Sequence, residues 1–197
     1  MPQYLGFDFE RGRRLFLRAI TDSLRRRSEY IRSIKRTGRG DMPIDGIAFD
    51  LYPDHGYIAL SLRENDTVHR SQNSADWPHF EFVNSQQHDF PPLRAAVAYI
   101  AETYGPHGGT GTNHSTELRH LIQLAAAEAL TAPSVAKLLR SFDIEAAVWD
   151  DRMFPDPGYF DYVVSDANGD IRLNYCELVR ANRLTRRLAG TAEPGSV

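Results

Sequence analysis

Cysteine is almost absent: Cys176 stands alone in the chain, which excludes an internal disulfide and a zinc site built from several thiolates. Lysine is nearly as scarce, two residues against 21 arginines, a bias that genomic base composition can set without selection for guanidinium chemistry. No stretch approaches the roughly 18 to 20 apolar residues of a membrane-spanning helix. The opening Met1–Asp8 lacks the basic and apolar regions of a secretory signal. Together these absences lead to the expectation of a cytoplasmic protein with no membrane partner. At 42% hydrophobic and 25% charged over 197 residues, the composition suits a folded chain and is too apolar for wholesale disorder. One domain over residues 1–190 with a disordered tail at 191–197 is expected.

The formal net charge of −3 hides a segregation. Residues 1–40 carry 11 Lys/Arg against four Asp/Glu, a balance of +7. Residues 41–175 carry 8 against 20, or −12, and residues 176–197 carry four against two, or +2. Such asymmetry points to a polar partner for one end or the other, or to a basic helix lying on an acidic body.

Periodicity divides the chain. Phe16, Ile20, Leu24, Ile31 and Ile34 share one face at 100° per residue and predict a single helix from Phe9 to Arg36, stopped by Gly38 and Gly40. Ile47, Phe49 and Leu51, then Pro53–Gly56, then Ile58, Leu60 and Leu62 predict a β-hairpin with one buried face. Trp77–Val83 reads as a third strand. Asp89 before Pro91 and Pro92 offers a helix start, and Gly105-Pro106 a stop. Further helices are read through Leu118–Ala129 and from Pro133, and a strand at 146–149. A second hairpin spans Phe160–Leu173 around Asn168-Gly169, and a last helix occupies 175–189, capped by Asn174 with Glu177. Hairpins at both ends of a helical middle imply an α+β fold: an antiparallel sheet of two hairpins packed by about five helices.

Motifs of chemistry are weak. The glycine-rich stretch 105–116 precedes a helix and could cradle a phosphate, but it has neither the lysine of a P-loop nor a G-x-G-x-x-G register. A flexible helix–helix connection explains it more simply. His107, His114 and His120 with Glu117 offer zinc-type donors without the H-E-x-x-H spacing, so they rank as weak metal candidates beside surface histidines. Asp166, Asn168, Asp170 and Glu177 follow a calcium-loop spacing, but Ile171 occupies the position that needs glycine. A turn and a helix cap account for the same residues. No catalytic residue and no cofactor is predicted.

Two charged surfaces remain. Arg14, Arg18, Arg25, Arg32 and Arg36 project within about 40° of one another on the first helix, a basic line roughly 33 Å long that would suit a phosphate backbone or an acidic protein. A plain solvated face is the simpler account of any such charge run. Opposite in sign, Asp50, Asp54, Asp150 and Asp151 sit near strand ends, with Trp77, Tyr159 and Phe160 as candidate aromatic anchors for a partner.

The hairpin Phe49–Ser61, the Trp77 segment, and Trp149 followed by a second hairpin resemble, in pattern and order over residues 44–189, bacterial immunity-type domains that neutralise polymorphic toxins. The arginine-rich first helix has no counterpart in that pattern. The resemblance implies a non-enzymatic inhibitor that binds one cognate protein. Protein binding through the acidic surface is therefore the expected function, with nucleic-acid binding through the first helix as the alternative. A metal- or phosphate-dependent enzyme using the 105–120 loop comes third.

Overall fold

Along β1 (Ile44–Tyr52), Ile47, Phe49 and Leu51 alternate with Ala48, Asp50 and Tyr52, and because successive strand side chains point to opposite faces this one strand sets both sides of the sheet. The computed structural model describes residues 6–37, 44–64, 74–106, 113–144 and 160–166. A short 3-10 turn, Pro53–His55, leads from β1 to β2 (Tyr57–Glu64). Gly56 closes that turn at φ 57°, ψ 41°, a left-handed conformation that glycine adopts without steric cost. β2 pairs antiparallel with β1 in the register Phe49 opposite Leu60 and Leu51 opposite Ile58, so the apolar residues of both strands share a face.

β3 (His79–Asn84) adds antiparallel to the outer edge of β2 with an irregularity between Leu60 and Leu62. β4 (Asp161–Asp166) lies on the other side of β1, giving the order β3-β2-β1-β4. β4 runs parallel to β1, so the sheet is mixed and the expectation of a purely antiparallel sheet is corrected. The physical reason is the connection. A parallel neighbour needs a long crossover, and among the described residues three helices intervene between β3 and β4. The Phe160–Val164 strand is where the alternation placed it. The strand read at 146–149, the second arm of the later hairpin and the helix read at 175–189 lie outside the described residues.

The helices cover the Ile47/Phe49/Leu51 face. Asp8 caps α1 (Phe9–Arg26) by accepting the Arg11 N–H at 2.9 Å, satisfying one of the orphan donors of a helix start. Phe16, Ile20 and Leu24 are fully buried, and the Phe16 ring meets Phe49 edge-on at 5.9 Å. The single helix expected to Arg36 is in fact two: Arg27 leaves helical geometry (φ −100°, ψ 15°), and α2 (Ser28–Thr37) restarts with Glu29 in its first turn, where a negative charge suits the helix dipole. Phe90 stands at the N-cap of α3 (Pro91–Tyr104), and Asp89 instead pairs with Arg94 at 2.9 Å. α4 (Asn113–Leu130) packs against α1 and reaches β4, and α5 (Pro133–Arg140) follows it. α4 buries residues all round, from Leu118 and Ile122 to Ala126 and Leu130, as expected of a helix held between other elements.

Candidate functional site

The arginines of the first two helices sort by what each one touches. Arg13 bonds Glu10 at 2.8 Å and lies 3.8 Å from Glu128 of α4. Arg26 holds Asp22 at 2.7 Å and lies 5.1 Å over the Phe90 ring. Arg11 lies over Tyr99 at 4.6 Å, Arg27 over Tyr30 at 4.7 Å and Arg32 over Phe142 at 5.5 Å, positions where a cation is attracted by the ring face. Arg14, Arg18 and Arg25 are different. They are exposed, and no ion pair, hydrogen bond or ring contact engages them among the described residues. They lie on one side of α1, along about 16 Å at 1.5 Å per residue. Arg32 belongs to α2, beyond the break at Arg27, and the side chain of Arg36 lies outside the described residues.

The acidic candidates fare differently from expectation. Asp50 is fully buried and therefore presents nothing to a partner. Its side of β1 faces away from the described helices, where it accepts hydrogen bonds from the Ser61 hydroxyl at 3.0 Å, the Ser74 hydroxyl at 2.7 Å and the Ser165 hydroxyl. Asp54 lies in the 3-10 turn and binds the Arg119 guanidinium of α4, which also donates to the Tyr104 hydroxyl at 2.9 Å. Trp77 is 3% exposed and packs with Ala48 and Val163. It is a core residue of the sheet's second face and no surface anchor. Phe160 is likewise buried. Asp150, Asp151 and Tyr159 lie outside the described residues. In sequence, an aspartate one register step from a hydrophobic strand position looks like a surface group, because nothing local shows the cover over that face.

Burial pushes the Asp50 carboxyl above its ordinary range, against the opposing pull of the three hydroxyl donors, with Glu81 adding a like charge nearby. Glu81 itself has φ 50°, uncommon for a residue with a side chain. Its N–H donates to the Ser61 hydroxyl at 2.9 Å, which fixes the irregularity between β2 and β3. The Tyr57 hydroxyl, bonded to Glu81, is also raised, chiefly by burial.

A second polar chain escaped the sequence reading. Glu64 of β2 lies 2.8 Å from Nε2 of His79 on β3, whose Nδ1 lies 3.2 Å from the Tyr30 hydroxyl of α2. The Tyr30 ring stacks on Phe82 at 6.0 Å. Carboxylate, imidazole and phenol come from three elements, so no local spacing signals them. The only cue was a histidine opening a strand. In the histidine-rich segment, His107 lies outside the described residues, as does the side chain of His114. His120 is half-buried, with burial lowering its pKa, and Glu117 is exposed on the same helix. No group of three metal-type donors converges among the described residues, and no described helix is long and apolar enough to cross a membrane. No protein-family model matches the chain, and neither a curated protein nor a solved structure matches it.

Proposed function

We propose that this chain is a non-enzymatic protein-binding module that docks the Arg14/Arg18/Arg25 side of α1 on an acidic surface of one partner protein. The sorting of the arginines carries the reading: five neighbours on α1, α2 and the junction between them are spent on acids or rings within the fold, whereas these three are exposed and unengaged by described residues. Guanidinium groups bind carboxylates in a two-pronged geometry, and a row of them favours a partner of opposite charge. A protein suits this better than a nucleic acid. The chain carries −3 overall with a pI near 6.2, whereas nucleic-acid-binding domains are typically basic and interleave aromatic side chains for stacking. Inhibition of a cognate protein, immunity- or antitoxin-like, is what the resemblance over residues 44–189 implies for such binding, and that resemblance does not extend to α1.

The test is capture by the tagged full-length chain from a nuclease-treated lysate of the cells that make it. Wild type is compared with the triple variant Arg14→Glu/Arg18→Glu/Arg25→Glu and with Arg94→Ala as a control. One protein held near 1:1 by wild type and Arg94→Ala, and lost by the triple variant, is the expected result. The same protein held by all three would remove α1 from the interface. Nucleic acid recovered only without nuclease would replace the reading with the alternative.

A further inference from the structure

The second face of the sheet is floored by small side chains. Gly46, Ala48, Ala59, Ser61, Val163 and Ser165 lie on it by register, opposite to Ile47, Phe49 and Leu51. A floor of this kind leaves room for one large ring, and Trp77 occupies it against Ala48 and Val163. The Arg63 guanidinium lies 5.3 Å from the centre of the Trp77 ring while its Nε donates to Asp45 at 2.8 Å. Three residues before Trp77, the Ser74 hydroxyl reaches Asp50 at 2.7 Å, and the Trp77 N–H closes the turn onto the Ser74 carbonyl at 3.1 Å. Residues 74–77 therefore touch the sheet through a buried indole and a hydroxyl–carboxyl bond, among other contacts. They are joined by a single 3-10 turn, Ser74–Asp76.

We infer that residues 74–77 form a strap over this face, latched by Asp50, so that opening of the strap is coupled to the proton on the Asp50 carboxyl. Among the described residues, the groups facing that carboxyl are the hydroxyls of Ser61 on β2, Ser165 on β4 and Ser74 on the strap, the Glu81 carboxylate of β3, and Tyr57 of β2 bonded to Glu81, with no cation among them. With the strap closed, Asp50 is fully buried, and burial raises its pKa above the ordinary 3.8. With the strap lifted the carboxyl is hydrated and returns towards that value. The closed form therefore holds more protons between the two values. By linkage, closure is favoured at the low end of that window and opening grows as pH rises through it. The three hydroxyl donors stabilise the ionised form in place and so reduce the effect. Lifting the strap bares an indole-sized slot of small side chains with an ionised carboxylate at its side.

Trp77 reports on the strap directly. Trp149→Phe leaves it as the single tryptophan of the two in the chain. Acrylamide quenching of its fluorescence is followed from pH 4 to pH 9, with far-UV circular dichroism read alongside. The expected result is quenching that increases with pH while the dichroism stays constant. Asp50→Asn in the same background, which keeps the shape but cannot ionise, should lose that dependence and stay quench-resistant throughout. Ser74→Ala should raise quenching at every pH by removing the latch. Flat quenching in the parent, an unchanged pH dependence in Asp50→Asn, or parent-like quenching in Ser74→Ala would each overturn the inference. If Asp50→Asn does not fold, carbon-13 detection of the Asp50 carboxyl in the parent replaces it. Its titration must coincide with the Trp77 transition, and separation of the two sinks the coupling.

Discussion

A buried carboxylate with three hydroxyl donors is where one residue has most influence on this fold. Each serine around Asp50 satisfies its hydroxyl there, so Asp50→Ala strands donors in a dry interior, at roughly 1–3 kcal/mol for each one left unpaired. Asp50→Asn retains an acceptor and supplies donors that serine oxygens can take. The pH dependence of stability separates charge from hydrogen bonding. Because the folded-state pKa is raised above 3.8, the native state binds more protons than the unfolded chain within the window, and Asp50 makes stability fall as pH rises through it. Urea denaturation across pH 4 to 9 should therefore show the wild-type stability minus that of Asp50→Asn declining with increasing pH. A difference that rises or stays level would show that the carboxyl is not raised by burial. At Phe16, fully buried against Phe49, truncation to alanine should cost about 3–5 kcal/mol, read as a lower urea midpoint with an unchanged slope.

Helix α2 is fastened to the sheet edge by the Glu64–His79–Tyr30 chain and by the Tyr30–Phe82 stack. Tyr30→Phe removes only the hydroxyl and should lower stability by about 0.5–1.5 kcal/mol. His79→Ala should cost more, because it also leaves Glu64 without its imidazole. If the chain acts as a unit, the double variant should lose less than the sum of the two, by at least about 0.5 kcal/mol. Additive losses would reduce the arrangement to two independent contacts. Elements of this kind define what the sequence could and could not reveal. Local periodicity located α1, the first hairpin, α3, α4, α5 and β4, because each buries a stripe or an alternating face within its own residues. Tertiary facts stayed hidden: the break at Arg27, the parallel entry of β4, and the cover over the second sheet face. Asp50 was not a surface group for this last reason, since it reads as polar along β1 until Ser74 and Trp77, more than twenty residues later, close over it. The shared side of Arg14, Arg18 and Arg25 was legible, because a helix repeats its faces by spacing alone, whereas the break that sets Arg32 on a second helix was not. Which arginines were already engaged was not, since Tyr99, Phe90, Phe142 and Glu128 lie far off in sequence.

At the scale of the molecule, an excess of positive charge over residues 1–40 is set against a negative body, with −3 overall. Such a dipolar distribution acts on encounter more than on the bound state. Opposite fields guide two proteins together and raise the association rate, whereas dissociation is governed by the contacts made afterwards. Arg14, Arg18 and Arg25 make no described contact within the fold, so converting all three to glutamate should change stability by no more than about 0.5 kcal/mol per site. Loss of binding in a stably folded triple variant would then belong to the interface. Against the captured partner, stopped-flow association of wild type should slow as salt rises from low to high ionic strength, since charges separated by more than a Debye length are screened. The triple variant should associate at least about tenfold more slowly at low salt and lose most of its salt dependence. An association rate indifferent to salt, or a variant that differs from wild type only in dissociation, would mean that the arginines contribute at most short-range contacts and that the field of α1 does not select the partner.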